Sequence, residues 1–218
     1  MQSYIFLGPP ASGKGTQAKD LAEELGLIYF GTGDLMREEA KKQTHFGQIF
    51  KNVWAQGKGS LIDDDLTLDF VKTKIEEIGR DRGFVFDGFP RTLKQAQFLD
   101  LELDHHLIVF NISVSEETIV TRSSTRKICE NCGKIFFKAP ADKKRCEVCG
   151  DELVHRQEDT PEIIKKRLDI YNELTQPLID YYNQKGVLIN IDGEPNIEEV
   201  KEEILAKIND QQKNENHN

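Results

Sequence analysis

No apolar run in the 218-residue sequence approaches the roughly 18–20 residues that a membrane-spanning helix needs. The opening MQSYIFLGPP has no basic stretch, and its apolar segment is too short for a secretory leader. Basic residues are outnumbered, 29 Lys and Arg against 38 Asp and Glu, and the net charge of −9 argues against a dedicated nucleic-acid binder. There is no internal repeat and no obvious oligomerisation segment. These absences lead us to expect a cytoplasmic monomer with neither a membrane nor a nucleic-acid partner. Cysteine is scarce as well. All four lie in two Cys-x-x-Cys pairs, Cys129/Cys132 and Cys146/Cys149, with thirteen residues between the pairs.

What is present is an ordinary globular composition, 38% hydrophobic and 31% charged, in a length that suits one sizeable core with small insertions. In a reducing compartment the cysteine spacing favours a tetrahedral zinc site over disulfides or redox dithiols, and Gly133 and Gly150 suit the tight turns of a zinc ribbon. Four thiolates leave no open position for water, so such a zinc is structural. From Arg122 to Arg156, nine Lys and Arg face five Asp and Glu, a local positive surplus within an acidic chain. That segment can face an anion.

Periodicity predicts short buried strands at 3–7, 28–30, 84–86, 107–112 and 187–191. Helices are expected at 14–25, after Gly31-Thr32-Gly33-Asp34 with Asp34 as cap, at 45–56, from Asp63 to Gly79, at 115–125, from Thr160 to Gln184, and at 196–208. Between these, GKGS (57–60) reads as loose and NDQQKNENHN (209–218) as a disordered tail. Strands alternating with helices predict an α/β fold with a parallel sheet covered on both faces. The ribbon interrupts that rhythm as an insertion.

GPPASGKGT (8–16) sits between a predicted strand and a predicted helix, the setting of a phosphate-binding loop. Gly8 and Gly13 let amides turn inward, Lys14 reaches the phosphates, and the helix N-terminus adds its positive dipole end. Gly15 stands where Ser or Thr usually follows the lysine, and the hydroxyl comes one residue later, at Thr16. Asp87, at the end of FVFD, is placed to hold Mg²⁺ directly or through water. Arg37, Arg91, Arg122, Arg126, Arg156 and Arg167 fall mostly after strands or at insertion boundaries. As a set around a phosphate loop they suggest two polyphosphate ligands facing each other. None of His45, His105, His106, His155 and His217 belongs to a recognisable constellation. Without a general base, an acceptor that is already anionic, a phosphate, fits better than a hydroxyl.

With these residues, roughly 1–208 resemble the adenylate kinase family, in its form with a long zinc-bound lid. GPPASGKGTQ (8–17) resembles its phosphate loop, including the glycine between lysine and threonine. GTGDLMR (31–37) and DGFPRT (87–92) with Gln95 resemble its nucleoside-monophosphate motifs. RSSTR (122–126), the cysteine ribbon and RQEDTPEIIKKRL (156–168) resemble its lid and hinge.

The resemblance implies a P-loop three-layer fold on a five-stranded parallel sheet, with a core of 1–30, 61–121 and 160–218, a helical AMP-binding insertion at 31–60 and a zinc-binding lid at 122–159. It implies Mg-dependent phosphoryl transfer from ATP to AMP giving two ADP. Gly8, Gly13, Lys14, Gly15, Thr16, Arg122 and Arg126 would bind ATP. Arg126, Arg156 and Arg167 would close over the transferring group. Thr32, Arg37, Ile62, Arg91 and Gln95, with Arg156 and Arg167, would bind AMP. Gly31 departs from the family's usual Ser, Asp63 from Ser or Thr, and Glu158 from Asp.

Two other readings stand beside this one. The acceptor could be UMP, CMP or GMP, or the donor GTP, although Thr32 and the long lid favour AMP. Alternatively, a zinc-ribbon module on a nucleotide-regulated scaffold could bind RNA or protein.

Overall fold

A computed structural model of the protein describes residues 1–56, 62–136, 142–156 and 158–215. Five parallel strands form the central sheet: β1 (Gln2–Leu7), β2 (Ile28–Gly31), β3 (Phe84–Asp87), β4 (His106–Ser113) and β8 (Leu188–Asp192), in the order β2-β3-β1-β4-β8. Alternation along β1 builds two cores. Ile5 and Leu7 face one side, with Phe30, Phe84 and Phe86. They pack on α4 (Asp64–Ile78), α5 (Leu93–Glu102) and α8 (Pro177–Gln184) through Val71, Leu99 and Tyr182. Tyr4 and Phe6 face the other side, against Ala18 and Leu21 of α1 (Lys14–Leu25) and Val200 and Ile204 of α9 (Ile197–Glu215). This is the expected three-layer α/β arrangement, and its strands are apolar on both faces because both faces are covered.

Helices α2 (Thr32–Glu39) and α3 (His45–Gln56) follow β2, and Met36, Phe50 and Phe70 join them to α4. After α6 (Glu116–Thr125) come the short antiparallel strands β5 (Lys127–Cys129), β6 (Ile135–Phe136) and β7 (Leu153–Val154), before α7 (Pro161–Ile170) returns the chain to the core. Among the described residues, no helix is long and apolar enough to cross a membrane.

Helix starts follow the local chemistry. Asp63, Ser115 and Thr160 each cap a helix by accepting a backbone N–H bond one turn on. Four expectations need correction. Asp34 is not a cap: α2 starts two residues earlier, at Thr32, and Asp34 lies inside it, paired with Arg37 at 2.6 Å. Helix α5 has no counterpart in the sequence reading, because its apolar periodicity is weak and its buried residues include Gln95. The helix from Thr160 is divided by a π turn at Tyr171–Thr175, since Pro177 has no N–H for an i−4 bond; Gln176 N bonds to Tyr171 O instead. Finally, α9 continues to Glu215 rather than ending at Ile208. Its Gln, Lys and Glu favour helix, and Asp210 and Lys213 pair one turn apart at 3.6 Å. GKGS (57–60), Gln157 and residues 216–218 lie outside the described residues.

Candidate active site

The phosphate loop joins β1 to α1 at the C-terminal edge of the sheet, where loops from other strands also converge. Gly8 has φ +146° and Gly13 φ +97°. A Cβ on Gly8 would lie 2.5 Å from the backbone oxygen of Ile112 in β4 and 2.8 Å from Ser12 Oγ, so only a bare backbone fits there. Lys14 Nζ donates to Pro9 O at 3.0 Å. Burial lowers the Lys14 pKa to about 7; nearby Asp87 opposes this, and Arg167, Arg91 and Arg126 add to it.

The glycine between Lys14 and Thr16 has a geometric reason. A Cβ at position 15 would meet Asp87 Oδ2 at 2.8 Å. Asp87 ends β3 directly beside the loop, and Gly15 leaves its carboxylate open to the cavity.

Two cavities open here. The first runs from Lys14, Gly15 and Thr16 to Arg126 and Arg156. It is lined by seven cations, Lys14, Lys19, Arg37, Arg91, Arg126, Arg156 and Arg167, against three carboxylates, Asp34, Asp87 and Glu158. The second, of about 380 Å³, is more apolar and includes Thr32, Met36, Ile62, Gln95 and Tyr171. They meet at Lys14, Arg37, Arg91, Glu158 and Arg167, which line both. Burial depresses the pKa of Arg91, of Arg156 and, to about 10, of Arg167, with neighbouring arginines contributing. A site that strains its own cations in this way is arranged for a polyanion.

Two buried polar atoms are available to a ligand. Thr32 Oγ1 and Arg167 Nη1 have no hydrogen-bond partner among the described residues, and both residues line the second cavity. Gln95 is partly committed: Oε1 accepts from Arg91 N at 2.8 Å and Nε2 donates to Asp64 at 2.7 Å. One lone pair and one N–H remain for a ligand edge. Arg91 is held further by Nε to Gly88 O at 2.8 Å and by Thr175 Oγ1, in the π turn, to its carbonyl at 2.9 Å.

The remaining expected residues divide. Arg126 is buried and donates bidentately to Asp159, with Nε to Oδ2 at 2.7 Å. Replacing Asp159 by alanine leaves that guanidinium buried without its partner. A loss of about 3–5 kcal/mol is expected, read as a lower melting temperature, together with lower activity. Arg122 does not line either cavity. Its guanidinium donates to Ser12 O at 3.2 Å and Gly193 O at 2.8 Å, bracing the phosphate loop from outside. None of the described histidines lines either of these two cavities. His105 sits between Ser3 Oγ and Arg80 O at 2.8 and 2.9 Å, a structural role.

The four cysteine sulfurs all lie within 4.8 Å of one another. Cys129–Cys149 and Cys132–Cys146 separations of 3.4 and 3.6 Å approach the edge of about 3.8 Å expected for a ZnS₄ tetrahedron. Gly133 and Gly150 take the anticipated left-handed turns, each returning its N–H to the first cysteine of its pair, Cys129 O at 3.0 Å and Cys146 O at 2.8 Å.

A profile of the adenylate kinase family matches residues 6–187. The chain belongs to the adenylate kinase family. It is 41% identical to an adenylate kinase of Archaeoglobus fulgidus over 94% of this chain and 96% of the relative. It is 42% identical to one of Methanocella arvoryzae, covering 94% and 97%, and 39% identical to one of Petrotoga mobilis, covering 92% and 94%. As an adenylate kinase family member it is a nucleoside monophosphate kinase, a phosphotransferase acting on nucleotides. The four-cysteine cluster on the three-stranded ribbon suggests a zinc site.

Sequence reasoning missed several residues of this site: Lys19, Tyr29 and Thr175 line the cavities, and Asp34, expected only as a cap, lines the first; Glu158, noted only as a departure from Asp, lines both. The signals present were Gly31 and Glu158, both departures from the family pattern.

Proposed function

We propose that the protein catalyses reversible Mg-dependent transfer of the terminal phosphoryl group of ATP to AMP. The carrying observation is the meeting of two cavities at Lys14, Arg37, Arg91 and Arg167. ATP phosphates lie against Gly8, Gly13, Lys14, Gly15 and Thr16. AMP lies in the second cavity, its phosphate against Arg37 and Arg91, and its adenine against Thr32 Oγ1 and the free edge of Gln95, with Ile62 beside the adenosine. The acceptor phosphate is already anionic, so the residues orient it and neutralise charge without removing a proton. This accords with the two cavities having no histidine among their described lining residues.

Bound Mg²⁺ would neutralise and orient the donor phosphates, and Asp87 would hold it. The gap at Gly15 beside that carboxylate supports the fit. Arg126 and Arg156 approach from the residues flanking the ribbon and close over the transferring group with Arg167. Ile135 of the ribbon reaches the first cavity, and Glu158 lies 3.8 Å from Arg37, which supports a lid closing over both ligands and excluding water. Zinc on Cys129, Cys132, Cys146 and Cys149 would hold the lid's fold. The core, AMP-binding insertion and lid then divide as 1–30, 61–121 and 160–218; 31–60; and 122–159.

The test is turnover with Mg·ATP or Mg·GTP against AMP, UMP, CMP and GMP, products separated by chromatography. Rapid ADP formation from ATP and AMP alone is expected. Faster transfer to another monophosphate would reassign the acceptor, and no transfer to any would overturn the reading.

A further inference from the structure

Strand register brings together three residues that have no assigned role as a unit. Gly31 of β2 pairs with Asp87 of β3, and Tyr29 pairs with Val85. Residues two apart on a strand share a face, so the Tyr29 side chain rises on the same side as Gly31 and Asp87. The ring leans forward over Gly31. A Cβ there would lie 2.6 Å from Tyr29 Cε1 and Cζ, so the phenol occupies space that a serine or alanine at 31 would fill. From this position Tyr29 Oη sits 3.1 Å from Asp87 Oδ2 and 3.3 Å from Asp34 Oδ2, a donor shared by two carboxylates. Asp34 is fixed from its other side by Arg37 at 2.6 Å and Lys19 at 3.4 Å, and Lys19 Nζ also lies 5.1 Å from the Tyr29 ring centre.

We propose that Tyr29, in the space left by Gly31, is a positioning residue that orients Asp87 toward the metal of the nucleotide substrate by tying it to the anchored carboxylate of Asp34. The proposal rests on the phosphoryl-transfer reading above. Two carboxylates close together repel, and each can rotate away. One hydroxyl shared between Asp87 Oδ2 and Asp34 Oδ2 holds the two carboxylates in a single arrangement and leaves Asp87 Oδ1 for a ligand, while Asp34 Oδ1 is taken by Arg37. The same bridge runs from Asp87, beside the donor loop, through Tyr29 and Asp34 to Arg37, which lines the acceptor cavity as well. Gly31 is thus part of the device, since any side chain there pushes the phenol off.

The experiment compares wild type, Tyr29→Phe, Gly31→Ala and the double variant. The first readout is the Mg²⁺ concentration giving half-maximal activity at saturating nucleotides. The second needs no turnover: the difference in melting temperature between a non-hydrolysable ATP analogue with Mg²⁺ and the same analogue with EDTA. Tyr29→Phe is expected to raise the half-maximal Mg²⁺ concentration about tenfold and shrink the metal-dependent melting shift, with KM for AMP little changed. Gly31→Ala should reproduce this, and the double variant should be no worse than the single ones. A wild-type Mg²⁺ dependence and melting shift in Tyr29→Phe would overturn the proposal while leaving the kinase reading intact. A wild-type protein with no metal-dependent shift at all would overturn both. If all variants lose melting temperature equally with and without metal, Tyr29 is only a packing residue and the proposal fails.

Discussion

Lys14→Met is expected to lower kcat by about three orders of magnitude and at the same time raise the melting temperature of the ligand-free protein. The two effects share one cause. The ammonium lies in a desolvated loop among Arg91, Arg126 and Arg167, a field that suits phosphates and penalises the empty site. With a folded pKa of about 7 against 10.5 for the free side chain, the unfolded chain binds more protons between those values. Lys14 therefore weakens the fold fully below pH 7, and the penalty fades as pH rises toward 10.5. Methionine keeps much of the stem's packing and removes the charge. Each kcal/mol relieved should raise the midpoint by roughly 2–4 °C for a chain of this size, and the gain should shrink as pH rises. Calorimetry at pH 6.5 and 9 beside steady-state turnover tests both halves; a lower melting temperature at pH 6.5 would show that Lys14 stabilises the loop instead.

The same depressed pKa sets the pH dependence of nucleotide binding. Phosphates restore the charged form, so ATP binding above pH 7 takes up a proton and affinity falls as pH rises from about 7 to 9. Titration calorimetry at pH 8 in buffers of different ionisation enthalpy should show that uptake, and Lys14→Met should abolish it.

Removing metal from the ribbon should have the other large effect. The ribbon's apolar core comprises Cys129, Phe136, Cys146 and Leu153, and two of the four are themselves cysteines of the proposed zinc site. Three short strands on so small a core cannot offset the chain entropy of folding, whereas a structural zinc contributes about 10–16 kcal/mol in small domains. Chelation, or Cys146→Ser, is therefore expected to unfold residues 127–154 while the five-stranded sheet stays intact. Hydrogen exchange should show protection in the ribbon falling by at least about 1,000-fold, with little change in β1, β3 and β4. Activity should fall in parallel, because Arg126 and Arg156 flank the segment that melts. Unchanged ribbon protection in metal-free protein would sink the structural role of the metal.

What could be read from the sequence was whatever local chemistry specifies. The phosphate loop, the caps at Asp63, Ser115 and Thr160, the strands and the cysteine knuckles all depend on residues within a few positions of one another. Each appeared in the structure where expected. The family resemblance carried the longer-range set of arginines, and the structure brings Arg37, Arg91, Arg126, Arg156 and Arg167 to one cavity.

What the sequence alone did not determine depended on contacts between distant segments. Helix α5 is decided by packing against α4 and α8, which overrides weak periodicity. The π turn needed Pro177 and also brought Thr175 within reach of the Arg91 carbonyl, 84 positions away in the chain. Arg122 turned to brace the loop because the carbonyls of Ser12 and Gly193 lie beside it. Gly15 and Gly31 looked like departures from a motif. Only the folded chain shows that Gly15 leaves space beside the Asp87 carboxylate and that Gly31 leaves space for the Tyr29 phenol bonded to it. A motif records which residue types are present, but which of them share a volume is settled when the sheet assembles.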